Sequence, residues 1–152
     1  MESKIMISAR LPYKQQVWWI FSFLSWTISL VATLGALFLG EVMGLTPCIL
    51  CWYQRIAMFP IALILGVGLL IQDYRSVVYA LCLACVGWAV AFYHCLLYWG
   101  ILSENLAPCG IGTSCSKDQL AIVSFISIPL LSLIAFSLIV ACITIAMRRY
   151  SK

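Results

Sequence analysis

Charge is spaced along this chain in a way that leaves little choice of fold. Val17 to Gly40 carries no charged residue, and neither does Leu120 to Met147. Cys48 to Ile71 is interrupted only by Gln54 and Arg55, and His94 is the one ionisable group of Val77 to Gly100 besides thiols and phenols. Each run is long enough to cross a hydrocarbon core of about 30 Å as a helix rising about 1.5 Å per residue. Backbone facing lipid must satisfy its hydrogen bonds within the segment, so four membrane-spanning helices are expected, over 17–40, 48–71, 77–100 and 120–147. With no internal repeat, 1–152 reads as one all-α four-helix membrane domain.

Composition agrees. The chain is 64% hydrophobic and 9% charged, where soluble domains run nearer half and a quarter. A net charge of +4 is too small to suggest nucleic acid as a partner; lipid is the expected surrounding. The basic leader Met1 to Gln16 before an apolar run resembles a secretion signal. The run, however, exceeds the usual apolar core of about 7–15 residues and lacks a convincing small-residue cleavage site. An uncleaved first span is expected.

Orientation follows from the flanking cations. Lys4, Arg10, Lys14, Arg75, Arg148, Arg149 and Lys152 fall on one side of the expected bundle and Lys117 on the other. Positive residues stay inside, so both termini and the 72–76 turn are expected in the cytoplasm, and loops 41–47 and 101–119 outside. Trp18, Trp19, Trp52, Tyr53, Tyr98 and Trp99 lie near span ends, where aromatic residues suit the interface.

Of eight cysteines, two pairs fall on the outer, oxidising side, where disulfides persist. Cys48 and Cys51 form a C-x-x-C opening the second span. Thr46 suits the N-cap and Pro47 the first helical position, which places Cys48 in the first turn, where the positive helix end favours thiolate. Cys48 is expected to be the exposed, exchanging cysteine and Cys51 to face the membrane. Arg55, four residues after Cys51, lies on the same helix face. A guanidinium in the bilayer costs about 2.5–3.5 kcal/mol on insertion scales, so a partner is expected, although snorkelling to the headgroups is the alternative. An electron-rich oxygen of a small lipid-soluble acceptor would serve, and a quinone has such carbonyls. His94 lies at about the same depth as Arg55, roughly 9–10 Å below its span end. It either bonds that acceptor or joins two helices.

Cys109 and Cys115 flank two glycines in the 101–119 loop, a spacing that permits a local disulfide. An exchangeable bond is favoured over a structural staple. Cys82 and Cys85 form a second C-x-x-C and invite a four-cysteine zinc site with Cys48 and Cys51. Helix rise separates the two pairs by about 20 Å, far beyond Zn–S bonds of about 2.3 Å. No metal site is therefore expected. Cys82, Cys85 and Cys142 read as reduced packing thiols; Cys95, beside His94, stays open with packing favoured.

Pro47-Cys48-x-x-Cys51-Trp52-Tyr53-Gln54-Arg55, the Tyr93-His94 step, the paired loop cysteines and four spans together resemble the DsbB/BdbC disulfide bond formation proteins, over about Trp18 to Met147. The closely spaced loop pair is similar to the compact BdbC branch; Gln54 stands where some members carry a carboxylate. The resemblance implies a quinone-dependent protein disulfide oxidoreductase of the bacterial inner or plasma membrane. It implies a thioredoxin-fold, DsbA/BdbD-like thiol oxidase as partner and ubiquinone or menaquinone as acceptor. Cys109/Cys115 would take electrons from the partner and Cys48/Cys51 would pass them on. Cys51, Arg55 and His94 would lie near the quinone. The rival readings are a thiol-based metal transporter or sensor, a vitamin-K-epoxide-reductase-like quinone reductase, and a structural bundle with incidental cysteines.

Overall fold

The computed structural model describes residues 13–44, 47–102, 121–123 and 126–151. Helix α1 spans Tyr13–Leu37 and opens into one π turn, Phe38–Val42. Helix α2 spans Ile49–Ile71, α3 Arg75–Tyr98 and α4 Ile128–Ser151. All four are long and apolar enough to cross a membrane. They form an all-α bundle in which α1 packs on α2 and α4, and α3 packs on the same two helices.

The core takes Trp18 from α1, Ile61 and Leu65 from α2, Ala80, Ala84 and Ala91 from α3, and Phe136, Ile139 and Ile143 from α4. Large apolar side chains such as Leu63, Leu70, Val86 and Ile134 point outward. This inversion of a soluble pattern follows from lipid as solvent, where helices gain by close packing rather than by hiding apolar surface. Small residues therefore line the seams. Ser22, Ser25 and Ser29 are buried along one face of α1. On α3, a Cβ at Gly87 would collide with the ring of Phe136, which is itself fully buried.

The turn between α2 and α3 is closed locally. Gln72 adopts the left-handed conformation (φ 58°) and Asp73 N–H donates to Gly68 O at 3.0 Å. The Asp73 carboxylate then accepts from Arg75 N–H at 2.9 Å. These bonds occupy groups that helix ends leave open. They hold α2 and α3 antiparallel, so the start of α2 and the end of α3 share one end of the bundle.

One expected boundary is corrected. The fourth helix begins at Ile128, not at 120, and runs on to Ser151. Ahead of it, Ala121–Val123 (β1) pairs antiparallel with Ile126–Ser127 (β2). Pro129 accounts for the shift. Proline is tolerated in a first turn but disfavours helix in the residue before it, and the β-branched stretch upstream accepts an extended backbone. The second span ends at Ile71 as expected and starts one residue later, and the first and third differ by two to four residues at each end.

Candidate functional site

Cys48 is the N-cap of α2, which corrects its expected place inside the first turn. Its backbone is extended (φ −67°, ψ 166°) and its Sγ accepts from the Cys51 backbone N–H at 3.3 Å. A sulfur has taken the part a cap hydroxyl or carboxylate usually plays, satisfying one of the four donors a helix start leaves over. Thr46, the expected cap, lies outside the described residues.

Capping turns the Cys48 side chain back over the helix start. Its Sγ lies 2.9 Å from Cys51 Sγ and 3.8 Å from His94 Nε2 on α3. Leu50 and Leu97 bury it, with Cys51, Val90, Tyr93 and Leu102 packed alongside. Cys48 is consequently 3% exposed while Cys51 is part-buried, the reverse of the expected order. The reason is the N-cap conformation, which aims the first sulfur into the α2–α3 seam.

Cys48 precedes the membrane-crossing helix Ile49–Ile71. The hydrogen bond from the Cys51 thiol lowers its pKa most, and burial opposes this. His94 and the Cys51 backbone N–H lower it further, to about 4 from the ordinary 9.0. Thiolate is the attacking species in exchange, so the reduced pair holds its nucleophile ready.

His94 is fully buried and both its ring nitrogens face protein. Nδ1 lies 3.1 Å from the Gln54 amide nitrogen, on α2. An amide nitrogen only donates, so Nδ1 is the acceptor and Nε2 carries the proton, directed at Cys48 Sγ. His94 thus joins α2 and α3, one of the two roles open to it. Gln54 was missed as a site residue. It is 6% exposed, and it could have been found by depth: it sits beside Arg55 in an apolar run, level with His94.

Arg55 reaches across to α1. Its Nη2 donates to Ala36 O at 2.7 Å, placing a cation against the carbonyl end of a helix that has no basic residue of its own in the last turn. Gly40, in the π turn, makes room: a Cβ there would stand 3.2 Å from both Nη1 and Nη2. The guanidinium carbon is 5.7 Å from the centre of the exposed Trp52 ring, a cation–π distance. The donor set beside Cys51 is thus an aromatic face and a fixed cation with N–H groups beyond the one used on Ala36. It suits a planar, oxygen-bearing electron acceptor.

The remaining cysteines divide. Cys82 and Cys85 are exposed on the outer face of α3, and Cys95 and Cys142 are buried; all four are free thiols. Among the described residues, the grouping able to hold a metal is Cys48, Cys51 and His94, without Cys82 or Cys85. Cys109 and Cys115 lie outside the described residues.

A family model described as disulfide bond formation protein DsbB matches residues 15–146. The chain is 41% identical over 139 residues to a "Probable disulfide formation protein" of Metapseudomonas resinovorans, covering 91% of this chain and 96% of that one. It is 41% identical over 129 residues to "Probable disulfide formation protein C 2" of Bacillus cereus, covering 85% and 92%. With "Disulfide bond formation protein C" of Bacillus subtilis it shares 40% identity over 121 residues, covering 80% and 88%. No solved structure matches.

Proposed function

The chain belongs to the DsbB disulfide bond formation family, and from that premise we propose that it is a cell-membrane oxidoreductase that reoxidises an extracytoplasmic thioredoxin-fold thiol oxidase and hands the electrons to a membrane quinone. The observation that carries this reading is the pairing of Cys48 and Cys51 sulfurs 2.9 Å apart at the mouth of a membrane-crossing helix, with Arg55 one turn further in. Both termini lie in the cytoplasm, which turns the Cys48 end of the bundle toward the oxidising side.

Electrons enter through Cys109 and Cys115. A thiolate of the partner attacks their disulfide, the partner leaves oxidised, and the loop pair is left as two thiols. One of these attacks Cys48 of the Cys48–Cys51 disulfide and displaces the Cys51 sulfur. The second loop thiol resolves the mixed disulfide, so Cys109–Cys115 forms again and Cys48 and Cys51 hold the two electrons. Leu50 and Leu97 bury Cys48, with Leu102 packed alongside, so exchange at Cys48 requires these side chains to part.

A membrane quinone would supply the two-electron acceptor that leaves Cys48 and Cys51 as the disulfide. The Cys51 thiol can give one of the two protons the quinol needs, and the second comes from solvent because Cys48 is already thiolate. Arg55 and Trp52 would hold it beside Cys51. The Arg55 guanidinium, anchored on Ala36 O, offers its other N–H groups to a carbonyl that gains negative charge. His94 acts on this exit step through Cys48, by presenting Nε2–H to its sulfur and keeping it in the seam.

Thiol trapping in membranes tests the scheme. With partner and quinone present both pairs should be largely oxidised. Quinone depletion should reduce Cys48/Cys51 first and Cys109/Cys115 after them. Cys48→Ser or Cys51→Ser should abolish quinone reduction by the partner dithiol; normal turnover in either variant refutes the circuit.

A further inference from the structure

We propose that the reduced Cys48–Cys51 pair and His94 form a three-coordinate site for cuprous ion, and that filling it withdraws the pair from disulfide exchange. The three ligand atoms, from the start of α2 and from α3, all lie within 4.8 Å of one another. The expectation of no metal rested on the distance from Cys82 and Cys85; the third ligand here is an imidazole on the neighbouring helix.

The geometry is close to what a trigonal ion needs. Bonds of about 2.3 Å to sulfur and about 2.0 Å to nitrogen separate a trigonal sulfur and nitrogen by about 3.7 Å and two sulfurs by about 4.0 Å. Cys48 Sγ and His94 Nε2 are already 3.8 Å apart. The two sulfurs, at 2.9 Å, must part by about 1 Å on that arithmetic, and part-buried Cys51 can swing outward to do so.

Ligand number and softness select the ion. No fourth cysteine, histidine or carboxylate joins this group among the described residues, and the imidazole is fully buried. Zinc on the same two thiolates and imidazole needs a water as fourth ligand, and Cys48 and His94 are buried from water, whereas the three protein ligands alone complete a site for soft Cu(I). On binding, two Cu–S bonds and one Cu–N bond form. Thiol protons still present are released, the imidazole stays neutral with its proton moved from Nε2 to Nδ1, and no oxidation state changes. Arg55, one turn beyond Cys51 on the same face, offsets the negative charge of a bis-thiolate complex.

Gln54 makes His94 usable as a ligand. Ligation by Nε2 moves the ring proton to Nδ1, and a ligating histidine requires an acceptor there. The Gln54 amide supplies one by turning its oxygen where its nitrogen now stands, 3.1 Å from Nδ1. An amide can serve both tautomers; a leucine serves neither.

The test uses the reduced, detergent-purified full chain and a Cu(I)–bicinchoninate competition, with neither quinone nor partner present. Its failure therefore leaves the proposed circuit standing. Cys48→Ser should lose one copper equivalent. His94→Asn should bind that copper at least tenfold more weakly, and X-ray absorption should lose its Cu–N contribution. His94→Leu serves as a second variant should the asparagine form fail to fold. Copper should also slow alkylation of Cys48 in the native chain, with chelator restoring it. Unchanged affinity and an unchanged copper spectrum in a folded His94 variant would overturn the site, as would a copper count indifferent to Cys48→Ser.

Discussion

Replacing Gln54 by leucine removes the group that sets the tautomer of His94. In the native chain the amide nitrogen donates to Nδ1 at 3.1 Å, so Nε2–H points at Cys48 Sγ, 3.8 Å away. Without the amide, Nδ1 is a buried acceptor with no donor. A neutral imidazole then gains by placing its proton on Nδ1 only if something receives it, and leucine does not. Two effects should separate. The unpartnered nitrogen should lower stability by about 1–3 kcal/mol, the usual cost of a buried polar group left unsatisfied. Loss of a fixed donor should weaken the hold on Cys48 thiolate. A hydrogen bond to a charged group contributes about 1.5–3 kcal/mol at good geometry. At 3.8 Å this one is long, and about 1 kcal/mol is a fair allowance on that scale, equivalent to roughly 0.7 pH unit. The assay is the pH dependence of Cys48 alkylation in the reduced chain. Gln54→Leu should move the inflection upward by that amount, while in a His94→Leu background it should move nothing further. Equal, additive shifts in the two backgrounds would mean that Gln54 acts on Cys48 without His94, and would refute the reasoning.

Cys48 should alkylate at a pH-independent fraction of thiolate across the neutral range, with its inflection near 4 rather than 9.0. Because that value is depressed in the folded chain, the thiolate contributes stability to the reduced protein that is full above about 9 and is lost as pH falls through about 4. Thermal melts of the reduced chain over that window check the sign, and a flat profile counts against it. Gly87→Ala should destabilise the bundle by about 1–3 kcal/mol, since the added methyl meets a fully buried Phe136 ring. Unfolding in detergent measures it, and Phe136→Leu should recover part of the loss. Gly40→Val should push the Arg55 guanidinium from its seat against Ala36. Quinone-dependent reoxidation should then slow by about tenfold, the price of roughly 1.4 kcal/mol, with exchange between the two cysteine pairs unaffected; equal slowing of both steps would remove Arg55 from the acceptor end.

The helices were legible because their signal is additive. Two dozen residues without charge outweigh any single misplaced one, and the basic residues at one end of each run leave little freedom in where that end falls. The fourth span is the exception that explains the rule. Its apolar run begins at Leu120, yet its helix begins at Ile128, because composition says where lipid can lie and Pro129 says where helical hydrogen bonding can start. Hydropathy was the wrong instrument for that boundary, and proline was visible all along.

The site was legible in its members and not in their arrangement. Cys48, Cys51, Arg55 and His94 each stand out as a reactive or costly residue in an apolar run, and helix rise alone put Arg55 and His94 in one layer. Which side each one faces depends on another helix. Cys48 is buried because, as N-cap, it turns toward an imidazole 46 positions away; nothing in Pro47–Arg55 encodes that. Arg55 spends one donor on α1 because the π turn at Phe38–Val42 places a glycine where a side chain would stand. By resemblance alone Gln54 stands at a position where a carboxylate was the expectation. In the bundle it is the more versatile residue, since an amide can donate to His94 or accept from it, whereas an ionised carboxylate can only accept. A chain with Gln54→Glu should therefore hold His94 with its proton on Nδ1, leaving a lone pair toward Cys48, unless the ring is charged. That substitution should cost Cys48 its neutral donor.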